Sequence, residues 1–129
     1  MTYANARVIF RQGIDQSAFI YHLYDLFIDF IDSAPTVSTL KAEGDFKERQ
    51  SIWAATLCYT CFNFFFELFY VLSPDGKFTK IVPHSIGDFI DAKAFAYWIM
   101  SDGSKVEQGG LILHTEGFTL EEVKFLIKV

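Results

Sequence analysis

The chain contains one arrangement twice: a short segment with the period of a β-strand that leads into an amphipathic helix. In residues 4–12, apolar and β-branched side chains alternate with polar ones, and residues 110–115 also have strand character. Apolar positions recur at three- and four-residue steps over residues 19–31, and Thr119 and Glu122 form a capping box that opens the last helix. The echo suggests two incomplete copies of one unit. The order of strands and helices along the whole chain, including the segments described next, predicts an α+β fold on an antiparallel sheet.

The segments between the two copies add a hairpin and a short extended piece. Residues 36–42 and 49–58 have strand patterns, and the turn sequence Glu43-Gly44-Asp45 joins them. A further extended segment over residues 77–82 ends at Pro83.

Two more helices are predicted, over residues 62–72 and 92–101. Asp91 can cap the second of these and Gly103 can stop it, while Asp15 or Ser17 can cap the helix near the N-terminus. The helix at 62–72 has aromatic side chains on all sides, which predicts a buried helix. An exposed aromatic surface that stacks on nucleic-acid bases is the alternative.

Composition limits the classes of function. The 129 residues suit one ordinary folded domain, and a hydrophobic content of 51% supplies a core. The net charge of −5 argues against a broad basic surface, so any nucleic-acid site must be local. No apolar run is long enough for a transmembrane helix, and the N-terminus does not resemble a signal peptide.

Cys58 and Cys61 form a lone C-Y-T-C sequence. A zinc ribbon needs a second pair, and a redox pair of the thioredoxin type needs a strand-to-helix context. We therefore predict that both are small core residues in a reducing compartment. The three histidines show no metal-ligand spacing.

One stretch carries a family resemblance. Residues 95–104 read F-A-Y-W-I-M-S-D-G-S, which resembles the L-A-Y-W-F-M-D-D-G-S motif of LAGLIDADG homing endonucleases and group I intron maturases, in the variant found in fungal and organellar introns. Residues 110–123 resemble the strand and helix that follow this motif. Residues 5–12 and 21–27 resemble the same strand and helix in the preceding repeat, so the resemblance covers most of the chain.

The resemblance implies an antiparallel, saddle-shaped sheet with packed helices, in two repeats that pair through their motif helices. Relative to that plan, we expect residues 1–87 to be the later part of a first repeat that lacks its motif helix. Residues 88–129 would be the motif helix and early part of a second repeat, so that the plan is incomplete at both ends. The motif helix would pack through Ala96, Trp98, Ile99 and Gly103.

The chemistry that the resemblance implies is Mg²⁺-dependent hydrolysis of phosphodiesters. Asp102 occupies the acidic position at the end of the motif helix, where the family binds metal. Ser101 departs from the pattern, since a second acidic residue is common there. Gln12 matches a polar position near the active site, and Glu116 falls at the corresponding place in the second repeat, where its charge would repel phosphate. A second acidic motif from another chain or segment would be needed.

The family reads DNA with strands that lie in the major groove, where Arg, Gln and Asn match base edges. By position, the candidates here are Asn5, Arg7 and Arg11, followed by Lys47 and Arg49. An ordinary solvated strand face is the alternative reading of these side chains.

The resulting prediction is a site-specific double-strand DNA endonuclease encoded by a mobile intron, with Mg²⁺ as cofactor. The alternatives are a nucleic-acid-binding remnant without cleavage activity, an RNA maturase, or a structural component of a larger assembly. The expected partners are DNA at an intron-insertion site or intron RNA, without a membrane. The expected location is a mitochondrion or another organelle that encodes the chain.

Overall fold

The computed structural model describes residues 4–129, and the chain divides into two compact units between Phe64 and Phe65. The first unit contains three strands and one helix: β1 (Ile9–Gly13), α1 (Ser17–Leu26), β2 (Thr36–Leu40) and β3 (Arg49–Ala55). Helix α2 (Asn63–Phe69) crosses the boundary. The second unit contains β4 (Tyr70–Leu72), β5 (Phe78–Lys80), α3 (Ala92–Asp102), β6 (Gly103–Lys105), β7 (Leu111–Leu113) and α4 (Leu120–Lys128).

The first unit has an antiparallel sheet in the order β1-β3-β2, with α1 packed against β1 and β3. Successive side chains of a strand point to opposite faces, so β3 turns Ile52 and Ala54 inward and its other residues outward. Ile20 of α1 is fully buried against Ile52 and Ala54, and Phe10 of β1 packs beside them. The core of this unit therefore lies between α1 and one face of the sheet.

The predicted hairpin is confirmed. β2 and β3 pair in antiparallel register, with Val37 opposite Ile52, and the backbones of Glu43 and Phe46 bond to each other across the turn. Gly44 has a φ of 59°, which glycine adopts without the cost that a Cβ would add. The turn residues identified in the sequence thus close the hairpin as expected.

The predicted cap of α1 is wrong. The chain first makes a 3₁₀ turn over Ile14–Gln16, and Gln16 precedes the helix without any side-chain capping bond. Asp15 is drawn into this turn and Ser17 is already the first helical residue, so neither stands at the capping position.

The second unit contains two antiparallel pairs, β4 with β5 and β6 with β7. Asp91 caps α3 by accepting a hydrogen bond from the Ala94 amide at 2.7 Å, as predicted. Thr119 and Glu122 form the predicted capping box at the start of α4. Two strands of three residues, β4 and β6, were not predicted. An α+β fold with antiparallel sheets is nevertheless what the chain adopts.

The prediction of a buried aromatic helix over residues 62–72 is wrong in both length and burial. Helix α2 ends at Phe69, and the next three residues pair with β5 as a strand. Phe64 is 55% exposed and Phe65 is 49% exposed, whereas Phe62 in the preceding 3₁₀ turn is buried. A helix of seven residues buries few of its side chains, so an aromatic composition on all sides does not imply that all sides are covered.

The expectation that Cys58 and Cys61 lie in the core is also wrong, since both are exposed free thiols. They follow the end of β3, where Phe62 fills the buried position by packing against Phe30 and Tyr59. Across the described residues, no helix has the length and apolar character needed to cross a bilayer.

Candidate functional site

One face of the three-stranded sheet is turned away from α1 and carries the basic residues. On β1, Arg11 alternates with the half-buried Phe10 and Gln12, so its side chain lies on the outer face. On β3, Arg49 and Trp53 lie on that same face, because they alternate with the buried Ile52 and Ala54. The face that is free of α1 is therefore polar, basic and aromatic.

Arg11 and Trp53 are directly paired across β1 and β3. The Arg11 guanidinium carbon lies 5.8 Å from the centre of the Trp53 ring, within the range of a cation–π interaction. The Trp53 Nε1 donates a hydrogen bond to Ser38 Oγ of β2 at 3.0 Å. Three strands thus contribute one continuous chain of contacts, from Arg11 through Trp53 to Ser38.

The other predicted basic contacts surround this chain. Arg7 is exposed and borders a depression of about 180 Å³ that is also lined by Trp53 and Asp32. Arg49 lies over the ring of Phe46, with its guanidinium carbon 5.9 Å from the ring centre. Lys47 is exposed between the turn and β3. The structure therefore brings the predicted arginines into the first unit, with Arg11 and Arg49 on its outer sheet face.

Asn5 is engaged within the protein. Its side-chain oxygen accepts a hydrogen bond from Asn63 Nδ2 at 3.1 Å, and Asn63 Oδ1 accepts from the Ala6 amide at 2.8 Å. Asn63 thus ties the segment before β1 to the start of α2. Contact of Asn5 with a base stays a prediction. A base that Asn5 contacts would meet a side chain whose oxygen already accepts a hydrogen bond from Asn63.

Gln12 lies near the end of β1, opposite the buried Ile52. It is half-buried and points to the face that α1 covers, unlike Arg11. Gln12 belongs to the first unit and Asp102 to the second. Its predicted place beside the active site stays a prediction.

Asp102 is the last residue of α3, and its side chain is exposed. The helix stops here because β6 begins at Gly103, whose amide still donates to the carbonyl of Ile99. The Asp102 carbonyl accepts a hydrogen bond from the His114 amide at 3.2 Å, which extends the β6–β7 pairing by one step. Asp102 is therefore held at the junction of a helix and a hairpin.

A hydrogen-bonded chain of side chains lies on this hairpin. Ser104 Oγ is 2.9 Å from His114 Nε2, and His114 Nδ1 is 3.1 Å from Glu116 Oε1. The hydrogen bond from His114 lowers the pKa of the Glu116 carboxyl. An ionised carboxylate can only accept, so in this contact the imidazole is the donor. The negative charge that was expected to repel phosphate is thus engaged by the imidazole, which forms an ion pair with it when protonated.

Asp102 and His114 also border a cavity of about 530 Å³ in the second unit. Its other walls are mainly apolar and come from α3, α4 and the segment around Pro83. Trp98, in the middle of α3, lines one of these walls. Lys80 lies at the same cavity, 5.9 Å from the centre of the Phe118 ring.

The predicted packing residues of α3 differ in their surroundings. Ala96 is exposed, while Trp98 and Ile99 are half-buried, and Trp98 meets the Phe95 ring edge-on at 6.2 Å between centres. Gly103 sits against the Ile99 carbonyl so closely that a Cβ would clash with it. Packing of this helix against a second motif helix stays a prediction.

Asp102 fits part of a magnesium site. Mg²⁺ prefers oxygen ligands and keeps several waters, so proteins usually bind it with one or two carboxylates and substrate phosphates. Within residues 4–129, no group of three or more His, Cys, Asp or Glu side chains is arranged to hold a metal ion. The Asp102 carboxylate therefore belongs to no such group within the described residues, and a metal ion there would need further ligands.

Sequence reasoning missed three contacts of these residues: Trp53 as the partner of Arg11, His114 as the partner of Glu116, and Ser104 as the partner of His114. His114 was not identified as a candidate because the three histidines lack the spacing of metal ligands. The useful signal was strand alternation around the turn before Gly110, which puts Ser104 and His114 on one face of a hairpin.

Comparison with known proteins adds a family and a fold. The model of the LAGLIDADG DNA endonuclease family matches residues 2–129. The cytochrome b mRNA maturase bI2 of Saccharomyces cerevisiae is 30% identical over 125 residues, covering 93% of this chain and 29% of the relative. A probable intron-encoded endonuclease 1 of Wickerhamomyces canadensis is 31% identical over 118 residues, covering 85% of this chain and 48% of the relative.

Among solved structures, the homing endonuclease I-WcaI bound to its DNA recognition sequence matches with a TM-score of 0.79 and 25% identity. The match covers 98% of this chain and 58% of that structure. The chain therefore spans less than half of the two curated relatives and a little over half of the solved structure.

Proposed function

Because the chain belongs to the LAGLIDADG DNA endonuclease family, we propose that it is part of a site-specific DNA endonuclease encoded by a mobile intron. The observation that carries the proposal is the outer face of the three-stranded sheet, where Arg11 and Arg49 stand on a fold similar to that of a DNA-bound homing endonuclease. The major groove admits an antiparallel β-ribbon, and arginine side chains reach base edges there.

Arg7, Arg11, Lys47 and Arg49 would provide the local positive charge that the whole chain lacks. Each phosphate that an arginine or lysine neutralises releases condensed counterions, and this release drives much of the affinity for DNA. The overall charge of −5 does not oppose this, because the screening length in cells is about 8 Å. The four residues therefore act as a local patch.

Cleavage would depend on Asp102. Members of this family are in general dependent on divalent metal ions. We propose that the Asp102 carboxylate holds Mg²⁺, which when bound supplies Lewis-acid chemistry to the phosphodiester. The helix end and the β6–β7 pairing hold the backbone of Asp102, and a second acidic motif from another chain or segment would complete the metal site.

A maturase role is the second candidate, because two of the matched relatives are cytochrome b mRNA maturases. In that case the same basic face would hold intron RNA and cleavage would not be required. Under either function, we propose that the chain acts in the mitochondrion or other organelle that encodes the intron.

The test of the endonuclease proposal is cleavage of a duplex library that contains the exon junction of the host gene, with Mg²⁺ present. We expect Asp102→Asn to abolish cleavage and to leave binding of the duplex intact. The matched control is Asp91→Asn, which removes the same charge from the other end of α3 and keeps a capping side chain.

Cleavage that is equally fast with Asp102→Asn would exclude Asp102 as the metal ligand. If the wild-type chain binds intron RNA but neither binds nor cuts the duplex, the maturase role replaces the endonuclease role. Each assay is also run with an added chain or segment that carries a second acidic motif, so that the supply of that motif does not decide the result.

A further inference from the structure

The contacts of Trp53 indicate a role that its position in the sequence does not suggest. Trp53 lies on the central strand of the three-stranded sheet, between Arg11 on one neighbouring strand and Ser38 on the other. The ring is half-buried rather than embedded in the core, which lies on the opposite face around Ile52. Its two specific contacts are therefore both on the outer face.

The two contacts act on different parts of the indole. The hydrogen bond from Nε1 to Ser38 Oγ at 3.0 Å restrains rotation of the ring, because the hydroxyl is fixed on β2. The guanidinium of Arg11 lies over the ring at 5.8 Å. A guanidinium that stacks on an aromatic ring keeps its N–H edges available for other acceptors. The ring thus attracts the guanidinium and favours this position of Arg11, and a cation–π contact does not use up the N–H donors.

We propose that Trp53 is a positioning residue that holds Arg11 for the recognition of one guanine in the major groove of duplex DNA. The inference rests on the proposed DNA-binding function. Arginine binds the O6 and N7 atoms of guanine with two parallel hydrogen bonds, and this geometry distinguishes guanine from other bases. An arginine that is held in place before binding loses less side-chain freedom on forming the pair.

Arg49 provides the contrast within the same sheet. It also lies over an aromatic ring, but that ring belongs to Phe46, which is 70% exposed in the turn before β3 and has no polar atom for an anchoring hydrogen bond. We therefore expect Arg49 to contribute affinity with weaker base preference, and Arg11 to contribute a sharp preference at one position.

The experiment selects bound sequences from a pool of randomised duplexes, using the full chain without metal so that cleavage does not intervene. Arg11→Ala identifies the base pair that Arg11 reads. Trp53→Leu is expected to lower the guanine preference at that same base pair by about tenfold, while affinity for a scrambled duplex changes little. Ser38→Ala is expected to act in the same direction to a smaller extent. Arg49→Ala is the comparison: it is expected to lower the affinity for selected and scrambled duplexes alike, and to leave the guanine preference at this base pair as in the wild type.

The outcomes separate the possible roles. Full guanine preference in both Trp53→Leu and Ser38→Ala overturns the inference and leaves DNA binding intact. An equal loss of affinity for selected and scrambled duplexes shows a structural role and also overturns it. If Trp53→Leu does not fold, as judged by circular dichroism, Ser38→Ala decides, because that change removes the anchoring bond alone. A wild-type chain that selects no sequence overturns the proposed function, and this inference with it.

Discussion

The Glu122 carboxylate accepts a hydrogen bond from the backbone amide of Val82 at 3.0 Å, and so joins the first turn of α4 to a segment forty residues earlier. Its other oxygen accepts from the Thr119 amide at 2.8 Å. One side chain therefore completes the helix cap and also satisfies a backbone donor of the second unit.

Replacing Glu122 should destabilise the second unit by more than the loss of an ordinary cap. We expect Glu122→Ala to lower the free energy of unfolding by about 1–2 kcal/mol, because both amides lose their acceptor. Urea titration measures this. Glu121→Ala is the control on the same turn, since it removes an exposed ion pair to Lys124 and should change stability by less than about 0.5 kcal/mol. Equal effects of the two changes would contradict the bridging role.

The hydrogen bonds to the Glu122 carboxylate should also make the protein less stable as the pH falls into the acid range. Hydrogen bonds from the Thr119 and Val82 amides lower the pKa of the Glu122 carboxyl below its ordinary value of 4.5. A lowered pKa in the folded state contributes stability at pH values above the unfolded value, and this contribution disappears as the pH falls through the folded pKa. As the pH is lowered from 7 into the acid range, the unfolding temperature should thus decrease less for Glu122→Gln than for the wild type.

Two directly paired residues of the first unit, Ile52 and Val37, should differ in how much they contribute to stability. Ile52→Ala should cost about 2–4 kcal/mol, because Ile52 is 2% exposed and packs against Ile20. Val37 lies opposite Ile52 in the sheet but is 50% exposed, so Val37→Ala should cost far less. Chemical denaturation of both variants tests this. A comparable loss from Val37→Ala would show that the core on this face of the sheet extends over β2, because directly paired residues share a face.

Gly103 is required at the end of α3 for steric reasons. A Cβ there would clash with the carbonyl of Ile99, whereas one at Gly117 would meet open space. We expect Gly103→Ala to lower stability by about 1–3 kcal/mol and to displace Asp102. Gly117→Ala should be nearly neutral. Thermal unfolding measures the loss of stability. Loss of cleavage without loss of duplex binding would indicate that Gly103→Ala has displaced Asp102.

The basic face predicts a change in the salt dependence of binding. The logarithm of the binding constant for duplex DNA should fall less steeply with the logarithm of salt concentration, by about one unit of slope, for each of Arg7→Ala and Arg49→Ala. Ser51→Ala changes an uncharged side chain on the same sheet face and should leave the slope as it is. Unchanged slopes for both arginine variants would remove these residues from the phosphate contacts.

Local chemistry explains what the sequence predicted correctly. Three features were predicted correctly: the hairpin turn at Gly44, the Asp91 cap and the Thr119–Glu122 capping box. Each depends on residues that are neighbours along the chain, so it can be recognised in the sequence without knowledge of tertiary contacts. The α+β class and the family resemblance rest on the order of such segments. Both are confirmed.

The failures have a common physical origin in tertiary contacts. Whether Phe64 and Phe65 are covered depends on what packs against a helix of seven residues, and the composition of the helix carries no information on that. The strands β4 and β6 have three residues each, which is too short for an alternating pattern. Arg11 could be identified as a candidate by its place on a strand, but its pairing with Trp53 depends on a register between distant strands.

The strand order of the first unit makes its outer face depend on β3. β1 and β2 are both bonded to β3 and pair through it, although β3 is the last of the three to be synthesised. The β2–β3 hairpin closes a short loop, whereas β1 must find β3 across a much longer one, which costs more chain entropy. Arg11, Trp53 and Ser38 are therefore brought together only where β1 and β2 both pair with β3, and a nascent chain that stops before residue 49 lacks the strand that joins them.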